Sequence, residues 1–162
     1  MTDPSRALAE ELHQSRPFDS REEEVVVSVL RTAAVLRRAL AEAVEGSGLS
    51  PAQYNVLRIL RGAGEEGLPT LAVRDRLLEE APGVTRLIDK LEAAGHVRRD
   101  RSGRDRRTVR CVITPSGLAL LDALEPRLRA MRAAAVPAAL DHAAQRALLA
   151  HLAALRAALA AR

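Results

Sequence analysis

Residues 82–114 read PGVTRLIDKLEAAGHVRRDRSGRDRRTVRCVIT, and the fold is decided there. From Pro82 the apolar residues Val84, Leu87, Ile88, Leu91 and Ala94 recur at helical spacing, which turns one stripe inward and leaves Thr85, Arg86, Asp89 and Lys90 outward. Proline suits the first helical turn, and Gly95 suits the C-terminal cap. His96-Val97-Arg98-Arg99 and the run from Val109 to Ile113 then alternate apolar with polar residues, which predicts two strands joined by a basic turn over 100–108. The order helix, strand, basic hairpin, strand points to a nucleic-acid-reading unit.

Charge is concentrated on that hairpin. Residues 98–110 hold seven arginines against two aspartates, a local excess of five positive charges, whereas the whole chain is only +4. The remainder is therefore one unit negative, and a near-neutral body with one cationic finger is what attraction to phosphates asks for. The plain alternative is an arginine-biased composition filling an exposed hairpin, since Lys90 is the only lysine among 25 basic residues.

Working upstream, Thr70 reads as the N-cap of a short helix carrying Leu71, Val73, Leu77 and Leu78, reached through a loop over 65–69. The turn Leu78-Glu79-Glu80-Ala81 then delivers the chain to Pro82, so two short helices make a helix-turn-helix whose second helix enters the major groove. Before it, Ser50-Pro51 opens a helix through Tyr54, Val56, Leu57 and Leu60 that stops at Gly62-Ala63-Gly64. Ser20 caps a longer helix with Glu22, Glu23 and Glu24 in its first turn, where negative charge suits the helix dipole. Its apolar positions Val26, Val29, Leu30, Ala33, Leu36, Leu40 and Val44 run to Gly46. Residues 1–18 read as a polar, partly helical lead.

Downstream, Thr114-Pro115 repeats the cap-and-start device for a helix marked by Leu118, Leu121, Leu124, Leu128 and Met131, with a kink or break expected at Pro126. A last helical pattern places Leu140, Ala144, Leu148, Leu152, Leu155 and Leu159 on one period. The first and last helices thus carry more apolar surface than the segment between them could cover, which predicts burial against each other and against a second copy. An intramolecular bundle is the alternative. The expected architecture is mainly α with a small β-hairpin wing, in three parts: lead and dimerisation helix over 1–48, winged helix-turn-helix over 49–117, and C-terminal dimerisation helices over 118–162.

Composition narrows the classes. With 48% hydrophobic and 1% aromatic residues the core is aliphatic, and an α-rich protein is favoured. The single cysteine, Cys111, excludes an internal disulfide framework and fits a reducing cytoplasm. No run approaches the roughly 20 apolar residues of a membrane span. His13, His96, His142 and His151 are scattered without metal-ligand spacing, and no phosphate loop, nucleophile elbow or paired carboxylates stand out, so neither cofactor, metal nor catalysis is expected.

Leu49-Ser50-Pro51-Ala52-Gln53-Tyr54-Asn55-Val56-Leu57, the run from Val84 to Arg99 containing Leu91-Glu92-x-x-Gly95, Asp105-Arg106-Arg107, and Ile113-Thr114-x-x-Gly117 together resemble the MarR-type winged-helix transcriptional regulators. The resemblance covers residues 20–162 in layout, and the order of its pieces is more specific than any one of them. It implies a homodimer with intertwined terminal helices that binds a pseudo-palindromic operator on double-stranded DNA, as a repressor that a small-molecule effector could release. It also implies Thr85 and Arg86 at the groove-facing start of the recognition helix, Arg107 in the minor groove, and Asp105 holding the wing arginine. The layout offers Leu36, Tyr54, Arg58 and Arg61 as a ligand crevice. The chain departs from the pattern in its acidic inter-helix turn, which sets Glu79 and Glu80 near the expected phosphates, and in its surplus of wing arginines.

On the residues themselves, Pro82, Gly83 and Thr85 are small enough for close approach, while Arg86 can pair with guanine or hold a phosphate and Lys90 adds charge on the same face. Arg101, Arg104, Arg106 and Arg107 are the wing candidates for backbone and minor-groove contact. Asp89 suits a salt bridge to Arg86 or to a wing arginine better than base reading. Cys111 suits a buried apolar position, with a redox switch as the alternative. A winged adaptor that binds another protein, and a redox or metal sensor on the same scaffold, are the competing functional classes.

Overall fold

The computed structural model describes residues 4–79, 83–100 and 109–161. Helix α1 (Pro4–Glu11) precedes α2 (Arg21–Val44), whose start is fixed by the Ser20 hydroxyl accepting from the Glu23 N–H at 3.1 Å. Helix α3 (Pro51–Ala63) begins with a reciprocal cap: Gln53 N–H donates to the Ser50 hydroxyl, and the Gln53 side-chain oxygen accepts from the Ser50 N–H. Strand β1 (Leu68–Pro69) and helix α4 (Thr70–Arg74) follow, then α5 (Val84–Ala93), β2 (Val97–Asp100), β3 (Arg110–Ile113), α6 (Pro115–Ala135) and α7 (His142–Ala160). The chain is mainly α with a three-stranded antiparallel sheet of order β1-β3-β2.

The core gathers around α3, whose Val56, Leu57 and Leu60 are fully buried. Val73 from α4, Ile88 and Leu91 from α5, Val97 and Cys111 from the sheet, and Leu121, Leu124 and Leu128 from α6 close over them. Arg127 of α6 ties this centre to α2 by donating to the Glu45 and Glu42 carbonyls at 2.6 and 2.8 Å, the second of which also accepts from the Glu45 N–H that closes the helix.

Four details differ from the sequence reading. The loop expected over 65–69 contains a 3-10 turn at Gly64–Glu66 and then β1, which pairs with β3 in the register Leu68 with Cys111. A two-residue strand leaves no alternation for a periodicity argument to find. Gly67 permits the approach: its φ is +59°, and a Cβ there would lie 2.2 Å from the Cys111 carbonyl oxygen. Helix α4 ends at Arg74, short of the Leu77 and Leu78 expected in it, and Thr70 does not cap it; the Thr70 hydroxyl sits 3.7 Å from the Cys111 sulfur, and Pro69 holds the N-cap position. Ala94 is exposed instead of completing the inward stripe, because the helix has already ended at Ala93. Helix α6 runs unbroken through Pro126, which lies on its exposed side, where the carbonyl of exposed Asp122 left without a partner can face water.

The terminal helices behave otherwise. Only Ala43 and Val44 of α2 are buried, and no residue of α7 is. No helix among the described residues is long and apolar enough to cross a membrane.

Candidate nucleic-acid interface

Helix α5 buries Val84, Ile88 and Leu91 and exposes Thr85, Arg86, Asp89 and Lys90, as the periodicity predicts. It starts at Gly83 in the left-handed region (φ +92°), an N-cap residue that makes no side-chain cap bond. It ends in a Schellman closure: Gly95, at φ +76°, donates to the Glu92 carbonyl at 2.9 Å, and the His96 N–H donates to the Leu91 carbonyl at 2.9 Å.

Thr114 fastens that end to α6. Its N–H donates to the His96 carbonyl at 3.0 Å, its hydroxyl donates to the Gly95 carbonyl at 2.7 Å, and the same oxygen accepts from the Gly117 N–H at 3.1 Å. Gly117 is required beside it, since a Cβ there would lie 2.4 Å from the His96 carbonyl oxygen. His96, for which sequence reading had no role, sits at this corner with its Nδ1 3.1 Å from the Ser116 hydroxyl. The Ile-Thr-x-x-Gly motif is therefore a joint between α5 and α6.

The three described arginines of the basic stretch all have partners within the chain. Arg99 on β2 forks to Asp89 and Glu92 of α5, and hydrogen bonding to Asp89 first of all raises its pKa. Asp89 thus makes the salt bridge to a wing-strand arginine that its position suggested. Arg98 pairs with Asp100 at 2.8 Å, and Arg110 donates to the Glu66 and Gly67 carbonyls at 2.6 and 3.0 Å. Arg99 and Arg110 therefore brace the base of the wing. Among the described residues Arg86 and Lys90 have no ion-pair partner. Pro82, Glu80 and the tip residues Arg101, Arg104, Asp105, Arg106 and Arg107 lie outside the described residues.

Two further expectations change. Glu79 is engaged by Arg37 of α2 at 3.2 Å, so it faces the first long helix and its charge is compensated. The four proposed crevice residues are not brought together: Leu36 lines a groove of about 730 Å³ between α2 and α6, and Tyr54 is buried in the core. Arg58 donates to Asn55 at 3.0 Å, and Arg61 stands 3.9 Å from Asp122. The family layout that offered these four residues does not say which neighbour each meets in this chain. A crevice of about 360 Å³ lies instead between α2, the start of α3 and the turn after α4, with Arg37, Leu40, Pro51, Asn55, Leu78 and Glu79 in its wall. Cys111 is fully buried on β3, which removes the exposure a redox switch requires. Among the described residues no group of three His, Cys, Asp or Glu side chains stands together as a metal site.

The MarR family profile matches residues 47–108. A MarR transcription factor of Planctomyces limnophilus is 35% identical, with a TM-score of 0.62 over 86% of this chain and 98% of that one. The repressor CouR of Rhodococcus jostii RHA1, bound to a 23-mer DNA duplex, is 25% identical with a TM-score of 0.68 over 80% of this chain and 90% of that one. A MarR family protein of Mycobacterium tuberculosis in complex with salicylic acid is 28% identical with a TM-score of 0.61, over 80% and 93%. Curated relatives at 32–34% identity, from Methylorubrum extorquens and Bacillus subtilis, carry the name HTH-type transcriptional regulator, and the matches span 53–58% of their length. The profile match covers α3, α4, α5 and β2, the Planctomyces likeness extends over nearly all of its own chain, and this chain belongs to the MarR family of winged-helix transcriptional regulators.

Proposed function

We propose that two copies of this chain bind a pseudo-palindromic operator and repress transcription in the cytoplasm, acting by binding and not by catalysis. The observation that carries the reading is α5 itself: Thr85, Arg86 and Lys90 face outward on a helix that starts at Gly83, with Arg86 and Lys90 unpaired among the described residues. Gly83 lets the backbone approach the duplex. Arg86 reads a base edge or grips a phosphate, Lys90 adds backbone attraction, and the wing residues Arg101, Arg104, Arg106 and Arg107 reach the neighbouring minor groove with Asp105 orienting them. The duplex on CouR supports this assignment.

The chain divides into a reading unit over 49–117 and dimerising helices on either side of it. The exposed Val26, Leu30 and Leu36 of α2 and Leu148, Leu149 and Leu159 of α7 meet their counterparts in the second copy. Release follows from the crevice beside Arg37: a small aromatic carboxylate pairs with Arg37, displaces Glu79 and alters the spacing of the two reading helices. The salicylic acid on the Mycobacterium tuberculosis relative supports that choice of effector. Such a ligand acts only if it binds the two spacings with different affinity.

The test is to sequence genomic fragments retained by the purified protein and titrate the selected duplex against salt. A palindromic motif and a steep fall in affinity with salt are expected. Failure to retain any duplex at low ionic strength would overturn the reading.

A further inference from the structure

We propose that Arg99 is a positioning residue for DNA reading: by gripping Asp89 and Glu92 it fixes the angle between recognition helix and wing and withdraws both carboxylates from the DNA phosphates. The proposal rests on the DNA-binding reading given above. Asp89 lies on the outer face of α5 between Arg86 and Lys90 with half of its side chain exposed, where a free carboxylate would repel the duplex those two cations attract. Arg99 answers that charge from another element. Its guanidinium spans Asp89 and Glu92, three residues apart on one helix face, and a planar fork is suited to hold two carboxylates at once where a lysine would hold one.

The strand is held as well as the side chain. The Arg99 backbone N–H donates to the Glu92 carboxylate at 3.1 Å, so both oxygens of Glu92 are committed to this residue. At 24% side-chain exposure Arg99 is the least exposed cation in any ion pair among the described residues. Arg99 also stands two positions before the arginine-bearing turn begins at Arg101. The other leg of the wing is fixed separately, by Arg110 on the carbonyls of Glu66 and Gly67. Each leg of the wing is thus tied by its own arginine, and only the Arg99 tie reaches the reading helix.

Charge and geometry predict opposite results, which makes the proposal testable. The wild-type protein is used to select a duplex from a randomised pool, and affinity for that duplex and for a scrambled one is compared among wild type, Arg99→Gln, and the double variant Asp89→Asn with Glu92→Gln. The double variant removes two negative charges, so its binding to the scrambled duplex tightens. The proposal expects its selected-to-scrambled ratio to fall nonetheless, by about tenfold, the scale of coupling within an ion-pair network. Arg99→Gln weakens binding to both duplexes and lowers the ratio similarly. Should Arg99→Gln fail to fold, Asp89→Asn, an isosteric change at a half-exposed position, decides alone. Folded variants that keep the wild-type ratio would overturn the positioning role while leaving DNA binding intact. A wild type that selects no duplex would overturn the underlying reading and this inference with it.

Discussion

In α3 the side chains of Val56, Leu57 and Leu60 are fully buried, whereas Leu30 of α2 and Leu149 and Leu159 of α7 stand 60%, 66% and 68% exposed. Both regions are aliphatic, both are helical, and both show apolar residues at helical spacing. They differ in whether one chain supplies the covering surface. Around α3 the helices α2, α4, α5 and α6 and the sheet meet within the same chain. Among the described residues nothing buries α7 in that way, for no residue of that 19-residue helix is buried. Periodic apolar residues therefore announce that a face will be covered, and only the architecture says by what. A large apolar face left open is the mark of an assembly surface.

The comparison is broken most severely at its self-sufficient end. Gly67→Ala sets a Cβ against the Cys111 carbonyl at a left-handed φ, and it is expected to cost about 3 kcal/mol or more. A lowered denaturant midpoint measures that cost, and an unchanged midpoint would show that β1 is dispensable. At the open end, Leu30→Glu combined with Leu149→Glu should leave the winged centre folded by circular dichroism yet halve the mass in solution. Each substitution forfeits about 2 kcal/mol of apolar burial between copies. Retention of the assembled mass would place the interface elsewhere.

Within the centre, Arg86→Ala should weaken the selected duplex by about 1–3 kcal/mol, and Arg107→Ala by a similar amount, in a binding titration at fixed salt. Arg98→Ala, which loses only a pairing with Asp100 that is open to solvent, should stay within about 0.5 kcal/mol. Equal losses for Arg86 and Arg98 would dissolve the distinction between reading and bracing arginines. The smallest effect concerns the start of α2. The Glu22 carboxyl is held below its ordinary value of 4.5 by its backbone N–H and then by the Ser20 hydroxyl. Its stabilising contribution is fully present above that ordinary value and is lost as pH falls through the lowered one. Glu22→Gln should therefore flatten the acid limb of stability below about pH 4.5, and an unchanged acid limb would remove Glu22 from that role.

What was legible in the sequence follows the range of each signal. Caps act over three residues, and Ser20, Ser50 and Thr114 each accept the N–H that their position predicts. The stripe of Val84, Ile88 and Leu91 needs only its own helix, and it too was readable. Contacts between distant segments were not. The pairing of Leu68 with Cys111, the grip of Arg127 on the end of α2, and the link from Arg37 to Glu79 each join residues whose neighbourhood no local pattern encodes. The same limit divided the arginines. Their density along 98–110 was plain, and Asp89 suggested a wing arginine as its partner, but the further grip of Arg99 on Glu92 and of Arg110 on the Glu66 and Gly67 carbonyls joins segments that sequence spacing did not bring near.

The account turns on whether two copies cover the open terminal faces and so present paired reading helices. Light scattering of the purified chain at micromolar concentration tests this most directly. The account predicts twice the chain mass of 17.5 kDa, held down to low concentration. A folded protein that keeps the single-chain mass of 17.5 kDa at every concentration would contradict it.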